Sequence, residues 1–180
     1  RTLAAYDEMM NILLTCAERQ TLFASSTFLG ESYSNQAAAI YAADALRDLC
    51  AISSYNKDIY KLTWYDEGFF IQAGSATGSR KDPSYIMEAP FFSQLIGQTS
   101  GRNALILVDN PFPEGKRSLP RIIPLLRPLS YGRHGNPQDS WIFLAVSPDM
   151  FRAALQTLPK DSIAYAVTSQ GEIAASLNGD

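Results

Sequence analysis

His134 is the one histidine of the chain, and it sits in Tyr131-Gly-Arg-His-Gly-Asn-Pro137, a composition that makes a loop. A single imidazole cannot build the multi-histidine zinc sites of metalloenzymes, so a solvated loop side chain is expected. A thiol–imidazole nucleophile would need Cys16 or Cys50 to meet it. Both cysteines fall in helical patterns, where a buried, inert thiol is the ordinary case, and their unequal distances from the break at Gly30 favour free thiols over a disulfide. Asp66 and Glu67 are adjacent in a turn pattern and point apart, whereas glycosidase acids face each other across a substrate. Gly74-Ser-Ala-Thr-Gly78 lacks the Gly-Lys-Ser/Thr ending of a phosphate-cradling loop and reads as a flexible connection. With no triad, carboxylate pair or metal set, the chain is expected to be no enzyme and to carry no cofactor.

Arg121 and Arg127 are more informative. Six residues apart in a strand, they share one face with Ile123, Leu125 and Leu129. An arginine on an apolar strand needs an anion, which can be Asp109 or Asp139 within the protein, or a ligand. A pocket needs a few oriented polar groups on an apolar wall. The place where charged residues interrupt apolar runs therefore puts a candidate ligand site between a sheet and the segment from Tyr85 to Phe92, with Tyr85, Asp109, Arg127, Tyr131 and Trp141 as contacts.

The elements that must hold those residues change character along the chain. The first 82 residues contain no proline and the first 67 only Gly30 as glycine, so this stretch can be largely helical. Leu3, Tyr6, Met10, Leu13 and Ala17 recur at helical spacing. Ser34 can cap a second helix with Ala38, Tyr41, Ala45, Leu49 and Ile52 on its apolar face. From Ile59 onward the pattern turns to short β-prone runs between turn residues. Strands are expected over Ile59 to Tyr65, with Tyr60, Leu62 and Trp64 on one face, then Phe69 to Ala73, Asn103 to Val108, Ile122 to Leu129 and Ser140 to Ser147. Six of the ten prolines lie between Pro111 and Pro137, so the strand from Ile122 is expected at an edge or with a bulge. Helices are expected from Pro90 to Gln98 and from Met150 to Leu158. A last hairpin pairs Ile163 to Thr168 with Glu172 to Ser176 around Gln170-Gly171. The fold class is α+β, with N-terminal helices packed on an antiparallel sheet of about five strands, and Leu13, Tyr41, Leu49 and Trp64 are expected to be buried.

Composition narrows the partners. Fifteen Lys and Arg against eighteen Asp and Glu leave a net charge of −3, without the basic excess that nucleic acid or an anionic membrane demands. The longest uncharged run, 13 residues from Ala89 to Gly101, is too short to span a bilayer. The chain opens Arg1-Thr2-Leu3 with no signal pattern, as expected of a piece of a longer protein.

Several stretches carry a resemblance. Leu46-Arg-Asp-Leu49 through Asn56-Lys-Asp-Ile59 looks like the end of a long helix stepping into a first strand. Gly74-Ser-Ala-Thr-Gly78 looks like a Ser-x-x-Gly turn after the first hairpin, and Ser140-Trp-Ile-Phe-Leu-Ala-Val-Ser-Pro-Asp-Met-Phe like a last strand with its exit helix. Val167-Thr-Ser-Gln-Gly-Glu-Ile173 is similar to the opening of a second module. Order and pattern together resemble the extracytoplasmic Cache domains of bacterial receptors, of double-Cache type, which belong to the PAS-like sensor folds. The resemblance implies an N-terminal helical region over 1–57, a membrane-distal module over 58–158 and the start of a membrane-proximal module over 159–180. It implies a ligand-sensing input domain outside the membrane, bound to a small molecule or a partner protein, able to form a homodimer, and joined to a histidine kinase or a membrane-bound transcriptional regulator. The family's amino-acid clamp, an Arg with a Trp-Tyr pair, is missing: the segment reads Tyr85-Ile-Met-Glu-Ala-Pro-Phe-Phe-Ser-Gln. The competing expectation is a cytoplasmic PAS- or GAF-like module for a cofactor or nucleotide.

Overall fold

A computed structural model describes residues 58–66, 69–73, 83–97, 105–112, 119–128 and 136–179. The two expected N-terminal helices, with Leu13, Cys16, Tyr41, Leu49 and Cys50, lie outside the described residues, as do the Gly74 to Gly78 loop, Tyr131 and His134.

The main sheet is antiparallel. Its strands are β1 (Ile59–Asp66), β2 (Phe69–Ala73), β3 (Val108–Asp109), β4 (Arg121–Pro128) and β5 (Ser140–Val146), in the order β2-β1-β5-β4-β3. Four strands are long and β3 is a two-residue fifth. The chain is therefore α+β around an antiparallel sheet, as expected. Central β5 is buried from end to end, which its uninterrupted apolar run Trp-Ile-Phe-Leu-Ala-Val requires. β4 pairs with β5 without a bulge, and β3 covers only Arg121 and Ile122 on its other side. Beyond Ile122 that side carries no strand among the described residues, so Pro124 and Pro128 occupy the edge where a missing N–H costs no ladder bond.

Register assigns the faces. Ile123, Leu125 and Arg127 of β4 lie opposite Val146, Leu144 and Ile142 of β5, and these in turn oppose Ile59, Leu62 and Trp64 of β1. The other face carries Ile122, Leu126, Trp141, Phe143 and Ala145. The expected grouping of Tyr60 with Leu62 and Trp64 is corrected here. A register shift between Ile59 and Lys61 inserts one residue into β1, and a bulge of this kind breaks the period of two. Tyr60 joins the cluster with Trp141 and Phe143, while Leu62 and Trp64 lie on the opposite face. Trp64 is buried.

That second face is covered by α1 (Ser84–Met87) and α2 (Pro90–Ile96). Pro90 starts α2 as expected, since the first helical residue needs no N–H partner, and Phe91, Phe92, Leu95 and Ile96 are all buried in the cluster. The expected strand over Asn103 to Val108 shrinks to Val108–Asp109. The carbonyls of Leu105 and Leu107, which a neighbouring strand would bind, accept instead from Ser169 and Arg121.

After β5, α3 (Asp149–Leu155) leads to a separate two-stranded sheet of β6 (Ala164–Val167) and β7 (Ile173–Leu177), and α3 packs against both strands. Thr168 organises the turn. Its N–H donates to Glu172 O at 2.8 Å, its Oγ1 accepts from the N–H of Glu172 at 3.0 Å, and Gly171 takes φ +84°, where only glycine is unstrained. The hairpin is amphipathic in an inverted sense. Its covered side presents the half-buried Ala164, Ala166 and Leu177 with the buried Ala175, while Ile163, Tyr165, Val167 and Ile173 are 69, 45, 50 and 56% exposed.

Candidate functional site

The bulge in β1 turns both Tyr60 and Lys61 toward the face that α1 and α2 cover. There the Tyr60 hydroxyl donates to Phe112 O at 3.2 Å and the Lys61 ammonium lies 5.3 Å from the Phe112 ring centroid, a cation–π distance. Phe112 is set by Asn110, whose Oδ1 accepts the Phe112 N–H at 2.8 Å while its Nδ2 donates to Leu119 O at 2.7 Å. Around it stand Tyr85, edge-on at 5.5 Å, and Phe143 at 5.8 Å. Phe91 stacks on Phe143 at 5.8 Å, and Trp141 stacks on Tyr65 at 5.1 Å. The result is an aromatic wall shared by β1, β5 and the two short helices.

Besides Lys61, two neutral polar side chains break that wall. Thr63 lies between Phe143 of β5 and Gln72 of β2 in the register, so its side chain and that of Gln72 are cross-strand neighbours. Among the described residues Thr63 Oγ1 and both carboxamide atoms of Gln72 are buried with no hydrogen-bond partner. Thr63 as a whole is 0% exposed. Burying such a group unpaired costs about 1–3 kcal/mol, and native folds retain few of them. A hydroxyl and a carboxamide offer donors and acceptors together. They suit a neutral group that presents a donor beside an acceptor, whereas a carboxylate can only accept and would face the Gln72 carbonyl oxygen.

The candidate contacts divide between the two faces. Tyr85 and Trp141 belong to the aromatic wall: Tyr85 packs on the cluster from α1, and the fully buried Trp141 donates its indole N–H to Gln138 O at 3.2 Å. Arg127 does not join them. It is buried, 6% exposed, but its register partner is Ile142, on the opposite face. Asp109 is fully exposed at the rim and lies 4.0 Å from Arg121, its register partner, so the internal ion pair forms with Arg121 rather than Arg127. Tyr131 lies outside the described residues. The main partner of Arg121 is Glu172, at 3.1 Å, which sequence spacing could not reveal because 51 residues separate them. Thr63 and Gln72 were equally hidden, since polar residues on alternating strands ordinarily face water. Among the described residues no group of three or more His, Cys, Asp or Glu comes together to hold a metal ion, and no helix is long and apolar enough to cross a membrane.

No family model matches the chain, and no curated protein matches it.

Proposed function

We propose that the chain is a signal-input domain of the PAS-like Cache type, belonging to a bacterial transmembrane receptor such as a sensor histidine kinase or a membrane-bound transcriptional regulator. In this reading it works outside the membrane, residues 58–158 form the membrane-distal module and the β6–β7 hairpin opens a membrane-proximal one. A small molecule binds on the aromatic wall beneath α1 and α2. The observation that carries the reading is the set of buried polar atoms of Thr63 and Gln72 on that wall that find no partner among the described residues, where an otherwise apolar surface offers a few oriented polar groups. Support also comes from the sheet, whose antiparallel strands carry short helices on one face. Binding signals only through differential affinity for two conformations, which in this reading differ in how α1 and α2 sit on the wall.

The test is a thermal-shift screen with neutral molecules that place a donor beside an acceptor, such as acetamide, nicotinamide and uracil, set against the acceptor-only anions acetate and formate. A neutral compound at about 100 times its Kd adds about 2.7 kcal/mol, which is a clear rise in Tm. The rise should vanish in Thr63→Val and Gln72→Leu. No rise with any neutral compound, or one that both variants retain, rejects the site.

A further inference from the structure

We infer that the β6–β7 hairpin is a latched arm, held to the rim of the main sheet by Arg121 and Ser169, and that residues 105–107 couple its docking to the packing beneath α2. This rests on the geometry of the rim, not on the ligand reading.

Three observations meet. First, the apolar hold of the hairpin is limited. Alanines and the half-buried Leu177 are its covered residues and α3 packs on it, its other large side chains are exposed, and an isolated two-stranded hairpin is marginal in water. Second, among the described residues the hydrogen bonds and ion pair that join it to the rim of the main sheet form a small polar set. Arg121 Nη2 donates to both carboxylate oxygens of Glu172, at 3.1 and 3.2 Å, and to Leu107 O at 2.8 Å. Ser169 donates to Leu105 O through its N–H at 3.1 Å and its Oγ at 2.9 Å. The Arg121 guanidinium thus bridges the hairpin and the strand approach. Third, the residue between those two carbonyls points the other way: Ile106 is 2% exposed in the cluster that holds Leu95 and Ile96 of α2 and Ile122 of β4. One short backbone segment therefore carries the acceptors for the hairpin and a core side chain for the helix layer. A displacement of the layer that moves Ile106 moves Leu105 O and Leu107 O with it, which gives a contiguous route between the covered face and the hairpin.

Two neighbouring amides separate undocking from unfolding. The Ser169 N–H is bonded across the rim to Leu105 O, whereas the Thr168 N–H is bonded within the hairpin to Glu172 O. Hydrogen exchange read residue by residue on the whole chain reports both, because local openings are seen separately from global unfolding. In Glu172→Ala and in Arg121→Ala the Ser169 amide should exchange about two- to fivefold faster, the range set by a half-exposed ion pair, with Thr168 unchanged. The charge exchange Arg121→Glu with Glu172→Arg should recover most of the protection. For the coupling, Ile106→Val should speed Ser169 exchange about twofold through the loosened core, whereas Ile142→Val, on the opposite face of β5, should leave it unchanged. Unaltered Ser169 exchange in both single charge variants, or equal acceleration of Ser169 and Thr168, overturns the latch. An equal response to Ile106→Val and Ile142→Val overturns the coupling.

Discussion

Thr63 is the residue at which stability and function separate. Its hydroxyl is buried beside the Gln72 carboxamide, and neither finds a hydrogen-bond partner among the described residues. Replacing an unsatisfied buried hydroxyl by a methyl of the same shape removes a desolvation cost of about 1–3 kcal/mol. Thr63→Val should therefore raise the unfolding free energy by about 1 kcal/mol in urea titrations, the reverse of the usual outcome for a core substitution. Phe112 is the opposite case. It receives the Tyr60 hydroxyl on its carbonyl, the Lys61 ammonium over its ring, the edge of Tyr85 and the tilted ring of Phe143. Phe112→Ala should cost about 3–5 kcal/mol, measurable by the same titration, and should weaken the wall without touching Thr63. A loss below about 1 kcal/mol would show that the aromatic cluster is loosely assembled there.

At the scale of elements, the hairpin is the place where residue pattern and burial disagree. Apart from the half-buried Leu177, its large apolar side chains are exposed, and its alanines are covered, so substitutions should rank against intuition. Val167→Thr and Ile173→Thr should change stability by no more than about 0.5 kcal/mol, whereas Ala175→Leu, on the buried side, should overpack it by about 1–3 kcal/mol. Denaturant midpoints of the three variants check the order. The same element shows what could be read from the sequence. The turn between its strands was legible because Gln170-Gly171 supplies a residue able to take positive φ, and β5 was legible as an unbroken apolar run. The bulge in β1 was not: one inserted residue moves Tyr60 across the sheet without leaving any mark in the alternation of Ile59 to Tyr65. The strand expected at Asn103 also fell short. The acceptors of Leu105 and Leu107 are taken by residues from the far end of the chain, and local propensity carries no information about such partners. Of the candidate contacts, Tyr85 and Trp141 reach one wall because aromatic residues fill the layer between sheet and helix. Arg127 is turned away by the period of two along β4.

For the whole molecule, the sheet has one face closed by two short helices and a rim to which the C-terminal hairpin is latched. In the proposed reading, the aromatic wall with its polar pair, the two covering helices and the arm at the rim act together as an input device when a ligand occupies the polar pair. The most direct measurement follows the side-chain amide signals of Gln72 in the ¹H–¹⁵N spectrum of the intact chain while acetamide, nicotinamide and uracil are added in turn, with acetate and formate as the contrasting set. At least one neutral compound should shift the Gln72 carboxamide signals saturably, and in Thr63→Val the same titration should leave them in place. Gln72 signals that stay fixed with every neutral compound, or that move equally with acetate, would contradict a ligand site at this pair.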